Sequence, residues 1–155
     1  MSQADILKKN AQPGAGDDIR IANRDGAREL VLVVDDEPFA TLLMERILVA
    51  EGYRVVVTHD GFEALRIYRK LGGQIDLTIL DYAMPLFDGF AVFNELRMIN
   101  PQAAVVLTSG LERPARMNWM LENGLLGFIP KPHTQKKLVS QVRTLLDAAV
   151  GSGAK

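Results

Sequence analysis

Asp35, Asp36 and Asp81 are the residues of this chain best placed to do chemistry. Each stands at the end of an apolar run: Leu30-Val31-Leu32-Val33-Val34 leads into Asp35-Asp36-Glu37-Pro38, and Leu77-Thr78-Ile79-Leu80 leads into Asp81. Apolar, β-branched runs of this length read as strands buried on both faces, as in a parallel sheet covered by helices. In open parallel sheets ligands bind beyond the carboxyl ends of the strands, where the strand order switches. Three acids gathered there repel one another unless a cation sits among them. With only oxygen donors and no His or Cys nearby, the set suits a hard ion such as Mg2+.

Two further strand ends carry reactive types. The run ending at Leu107 is followed by Thr108-Ser109-Gly110, and the one ending at Ile129 soon reaches Lys131-Pro132. A carboxylate, a metal, a hydroxyl and an ammonium around one point make a phosphoryl-transfer site. The carboxylate serves as nucleophile and becomes an acyl phosphate, while the cations neutralise the transferring oxygens.

Positioning those residues requires a regular frame, and from Glu29 the pattern alternates strand and helix five times. Strand 1 is 30–34, and helix 1 runs from about Pro38 to Gly52, Pro being favoured in a first turn. Strand 2 is 54–58 and helix 2 is 61–71, ending at Gly72-Gly73. Strand 3 is 77–80, and helix 3 runs from 89 to about 99, before Asn100-Pro101. Strand 4 is 104–107, and helix 4 runs from near Pro114 to Asn123-Gly124. Strand 5 is 127–129, and helix 5 runs from 134 to about 149 with Leu138, Val142, Leu145 and Leu146 on one face. Such alternation implies an α/β, doubly wound parallel sheet. Residues 1–28, with Pro13, Gly14, Gly16 and Gly26 and few large apolar side chains, read as a flexible arm or linker; 29–150 read as one domain and 151–155 as a disordered tail.

Composition narrows the classes. The chain has 155 residues, enough for one real core, and a net charge of −1, which gives no electrostatic case for nucleic-acid binding. There are no cysteines, so disulfides, thiolate metal sites and a Cys nucleophile are excluded. No apolar stretch approaches the ~20 residues that cross a bilayer, and no secretory signal is legible. His59 and His133 pair with no nucleophile motif and read as surface or loop residues; Trp119 reads by default as core.

The motifs VLVVDDEP, TILDYAMPLFDG, VVLTSG and GFIPKP, in that order over about residues 29–149, resemble the receiver domain of two-component response regulators. The resemblance implies a five-stranded, flavodoxin-like sheet of order 2-1-3-4-5. It implies that Asp81 is the phospho-acceptor, and that Asp35, Asp36, Asp81 and the backbone carbonyl of Ala83 hold Mg2+, with Asp36 the more direct ligand. Thr108 and Phe128 match the switch pair, and Lys131 the lysine that meets the phosphoryl oxygens. The family catalyses its own phosphorylation and dephosphorylation, a weak enzymatic character. The expected donor is a histidine kinase or a histidine phosphotransfer protein. The expected reader is a downstream protein on the helix 4, strand 5 and helix 5 face, and a homodimer is a further expectation. No segment after helix 5 reads as DNA-binding. The missing targeting signals and the family point to a cytoplasmic protein, either a free regulator or the receiver of a hybrid kinase. The chain departs from the family in a slightly longer stretch between Thr108 and Lys131.

Two other readings share part of this pattern. A small metal-dependent phosphatase would place an Asp nucleophile after strand 1 and a second Asp two residues on, where this chain has Glu37 and little length for a substrate cap. A receiver-like scaffold that works without phosphorylation would not need Asp81, Thr108 and Lys131 together. A flavodoxin-like cofactor binder is excluded because the acids after strand 1 would repel phosphate.

Overall fold

The computed structural model describes residues 19–110, 113–131 and 134–153, the last four for their backbone alone. Five parallel strands, β1 (Leu30–Val34), β2 (Arg54–Thr58), β3 (Leu77–Asp81), β4 (Val105–Ser109) and β5 (Gly127–Pro130), form one sheet in the order β2-β1-β3-β4-β5. The helices are α1 (Pro38–Ala50), α2 (Gly61–Leu71), α3 (Gly89–Ile99), α4 (Met117–Glu122) and α5 (Gln135–Gly153). The doubly wound sheet and its strand order are those expected from the sequence.

Every residue of β1, β3 and β4 is buried. Because side chains alternate across a strand, each strand feeds two cores. Leu30, Leu32, Val34, Leu80 and Leu107 pack against α2, α3 and α4 through residues such as Leu65, Phe93 and Met120. Val31, Val33, Ile79 and Val106 pack against α1 and α5 through Leu48, Val142 and Leu146. Two helices of the first face, α2 and α3, are started by side-chain caps. Asp60 Oδ1 accepts from the Glu63 N–H at 2.7 Å, and Asp88 Oδ1 accepts from the Ala91 N–H at 2.9 Å.

Several boundaries differ from the sequence reading. Strand β3 takes in Asp81, which pairs in register with Thr108 of β4, so both reactive residues are part of the ladder. Helix α4 begins at Met117 rather than near Pro114. Residues before it form a turn, with the Met117 N–H donating to Pro114 O, and the Arg116 guanidinium lies over the Phe90 ring instead of continuing the helix. Helix α5 continues to Gly153, through the start of the segment read as a tail.

The arm expected up to residue 28 also needs correction in its described part. Ile19 is 4% exposed within the core under α2, and Ala22 exchanges backbone hydrogen bonds with Val55 as an antiparallel bridge on the free edge of β2. Arg20 forms an ion pair with Glu45 of α1, and Asn23, at φ 57°, donates to Tyr53 O. Period-2 alternation, with Ile19 and Ile21 toward one core and Ala22 toward the other, made this short segment easy to mistake for linker, since its strand signal is only four residues long. Residues 1–18, 154 and 155 lie outside the described residues.

Candidate functional site

The acids meet where β1 and β3 end side by side. One carboxylate oxygen from each of Asp35, Asp36 and Asp81 lies within 4.8 Å of the others. Asp35 and Asp81 are buried, whereas Asp36 is exposed at the rim. Asp35 is fixed from both sides: its Oδ1 accepts from the Glu37 N–H at 3.0 Å, and its Oδ2 accepts from Lys131 Nζ at 2.6 Å. Lys131 Nζ also stands 3.5 Å from Asp81 Oδ1, which takes a long hydrogen bond from the Ala83 N–H. Lys131 is held there by its own backbone, whose N–H donates to Ser109 O and so prolongs the β4–β5 pairing past Pro130.

Electrostatics follow from this crowding. Burial, and then the neighbouring Asp35 charge, push the Asp81 carboxyl up to about 6, against the opposing pull of Lys131. Burial works to lower Lys131, but the Asp35 hydrogen bond and the Asp81 charge overcome it and hold the ammonium above its ordinary value. Asp35 and Asp81 thus share one ammonium, with Asp36 close beside them. The donor set is all oxygen and short of positive charge, which fits a hard divalent cation such as Mg2+ and does not fit a thiophilic one.

Thr108 sits beside Asp81 in the ladder, fully buried, and its Oγ1 has no hydrogen-bond partner. Thr58 Oγ1, Thr78 Oγ1 and Gln141 Oε1 are likewise buried without a partner, and what sets Thr108 apart is its pairing in register with Asp81, which leaves a free O–H donor beside that carboxylate. Phe128 is half-buried against the α2–α4 core and pairs in register with Leu107. Ala83 and Gly110 are exposed, and a Cβ added to Gly110 would meet nothing within 4 Å, so the approach to Asp81 is open on that side.

The structure therefore brings Asp35, Asp36, Asp81, Thr108 and Lys131 to one edge. Gly89 did not figure among the candidate site residues, yet it lies directly against Asp81. A Cβ on Gly89 would lie 2.6 Å from Asp81 O and from Tyr82 Cα, and its N–H donates to Tyr82 O. Only glycine lets α3 start this close to the end of β3. His59 is exposed and meets Thr41 Oγ1 at 3.0 Å, outside the acid cluster. Trp119 is not core: it is 46% exposed and packs edge-on to Phe90, because Met117 and Met120 occupy the inward side of α4 and Trp119 projects from the other. Pro132 and His133 lie outside the described residues.

An acid cluster, a facing lysine and an orphaned threonine on the carboxyl edge of a 2-1-3-4-5 sheet define a receiver-type α/β domain. Residues 31–143 match the response regulator receiver domain, and the chain belongs to that family. It is 34% identical over 117 residues to the sensor kinase CckA of Brucella abortus, covering 76% of this chain and 12% of the kinase. It is 29% identical over 143 residues to the chemotaxis protein CheY of Treponema pallidum, covering 91% of this chain and 99% of CheY. A solved CheX–CheY–BeF3–Mg2+ complex from Borrelia burgdorferi superimposes with a TM-score of 0.72 at 29% identity, covering 79% of this chain and 92% of that one. The chain spans only a small part of the kinase it matches. Receiver domains of two-component systems work with histidine kinases or phosphotransfer proteins and with downstream effectors. Among the described residues no helix is long and apolar enough to cross a membrane.

Proposed function

We propose that this protein is a phosphorylation switch whose acceptor is Asp81. The observation that carries the reading is the orphaned Thr108 hydroxyl, buried in register beside a buried carboxylate that already faces Lys131. The donor is phosphohistidine of a histidine kinase or a histidine phosphotransfer protein. An Asp81 carboxylate oxygen attacks phosphorus, the P–N bond breaks, and its electron pair stays on the imidazole nitrogen as the acyl phosphate forms. Lys131 neutralises a phosphoryl oxygen, and the Thr108 O–H donates to another. Asp35, Asp36, Asp81 and the Ala83 carbonyl would hold Mg2+, whose contribution is charge neutralisation of the phosphoryl oxygens. A relative solved with BeF3 and Mg2+ supports the same chemistry here.

Movement of Thr108 toward the new anion empties the space it filled, and Phe128, half-buried now, turns into it. The repacked surface of α4, β5 and α5 is then read by a downstream protein. The phosphoryl group favours one of two packings by binding it better. The proposed location is the cytoplasm, where such donors reside.

Intact-protein mass after acetyl phosphate treatment, with and without Mg2+ and beside Asp81→Asn, tests this. One phosphoryl adduct that needs both Mg2+ and Asp81 is the expected result. No adduct even at short times, with no beryllofluoride-induced change in Trp119 fluorescence, would replace the switch by a scaffold that works without phosphorylation.

A further inference from the structure

The loop between β3 and α3 holds an unusual residue. The Phe87 N–H donates to Pro85 O at 2.7 Å, closing a three-residue turn with Leu86 at its centre and φ at 69°. This is the rare hand of the γ-turn, strained for any residue with a Cβ and suited to glycine. Burial does not compensate the strain, because the Leu86 side chain is fully exposed. Nor is the loop slack around it. Met84 is buried beneath, the Phe87 ring lies 4.6 Å from that of Phe62, and Gly61 and Gly89 have no Cβ where one would collide with Phe87 and with the backbone of β3. A rigid loop thus presents a strained leucine to solvent.

Its surroundings suit contact with another molecule. Phe62, on the first turn of α2, is 65% exposed beside it. Open hollows of about 580 and 550 Å³ lie on either side, sharing Leu86 and Phe87 as the ridge between them. Asp60 borders the first hollow, and Asp88 and Glu95 border the second. Arg66 is offset by Glu63, and Arg116, over the Phe90 ring, offsets one of Asp60, Asp88 and Glu95, so the net charge on the rim is negative. The ridge belongs to a loop between helix starts, with no strand edge alongside it, so recognition falls to side chains entering hollows.

We propose that Leu86 and Phe62 anchor a docking surface for a partner protein's amphipathic helix, whose apolar face straddles the Leu86 ridge and whose flanks carry Lys or Arg. The surface is separate from the α4, β5 and α5 face, and the inference does not depend on phosphorylation of Asp81. Clustered exposed apolar side chains with a charged rim are the common form of such a surface.

The test uses the full chain and a fluorescein-labelled designed peptide of about 14 residues, long enough to hold a helical face once bound. One version carries leucines on one face and lysines elsewhere, and a second carries glutamates in place of the lysines. Fluorescence anisotropy should show the lysine peptide binding, with affinity falling as salt rises. Leu86→Gly and Phe62→Ser should each weaken it by about tenfold or more, the scale of a lost anchor. Leu86→Gly should also raise Tm by about 2–4 °C through relief of the turn, while taking up phosphoryl from acetyl phosphate as before. Phe62→Ser, on a different element, keeps the test sound if the loop variant folds poorly. No binding by the lysine peptide, equal binding by the glutamate peptide, or unchanged affinity in both variants would each overturn the proposal.

Discussion

The two ends of the same sheet treat charged groups in opposite ways. At the amino ends of the strands every charged group named here has its partner. Arg143 of α5 donates to both oxygens of Glu29, to the Tyr53 hydroxyl and to Asp147, while Asp76 Oδ2 accepts from the Leu30 N–H and Arg54 donates to Arg28 O. At the carboxyl ends three carboxylates crowd together while Lys131 pairs with two of them, Asp35 and Asp81. The three central strands β1, β3 and β4 are buried throughout, so the difference lies in the groups placed at their ends and not in the frame. One end is built to hold the fold, and the other keeps unmet electrostatic demand that a phosphoryl group and a cation can answer.

Asp81→Asn gives the largest effect. It should abolish the phosphoryl adduct altogether, as read by intact mass, and an adduct that persists would move the acceptor elsewhere. Next, Ile19→Asp should cost about 3 kcal/mol in urea unfolding, because it buries a charge without a partner beneath α2. A loss below about 0.5 kcal/mol, the scale of ordinary surface changes, would return residues 19–28 to the status of linker.

A sharper test of the contrast uses one substitution for two readouts. In metal-free buffer Asp81→Asn should make the protein more stable, by about 1–2 kcal/mol, since it removes one of the crowded carboxylates. Saturating Mg2+ should raise the Tm of the wild type and do little for that variant. Equal response of the two proteins would mean that the ion does not sit among these acids.

The smallest effect belongs to the satisfied end. Arg143→Ala should cost about 1 kcal/mol, the scale of a partly exposed ion pair. Its pH dependence has a definite sign. Hydrogen bonds from Arg143 lower the Glu29 carboxyl from its ordinary value, against the opposing effect of burial. The folded state therefore gains stability from Glu29 above the ordinary Glu range and loses it as pH falls through the lowered value. Removing Arg143 should flatten that part of the acid-unfolding curve, and an unchanged curve would show that the pair contributes nothing.

Much of this was legible in the chain. Strands 30–34 and 54–58 were read at their observed bounds because β-branched runs between turn residues leave little choice. Asp60 and Asp88 stood directly before α2 and α3, where caps belong. The reactive residues could be found because each follows an apolar run at once. What escaped was everything set by contacts distant in sequence. Ile19 and Ala22 look like linker until β2 supplies an edge for them. Trp119 looks like core until Met117 and Met120 are seen to take the inward side of α4. Gly89 looks like an ordinary turn glycine until the Asp81 backbone is seen against it.

The sequence by itself determined the alternation of elements, the parallel sheet and the placement of acids, hydroxyl and lysine at strand ends, because periodicity and local geometry are written in neighbouring residues. Only the tertiary structure decided that Lys131 reaches Asp35 more closely than Asp81, that Thr108 lacks a partner, and that Leu86 stands strained and exposed. Those facts depend on distances between segments far apart in the chain, which packing of the two cores fixes and no local pattern encodes.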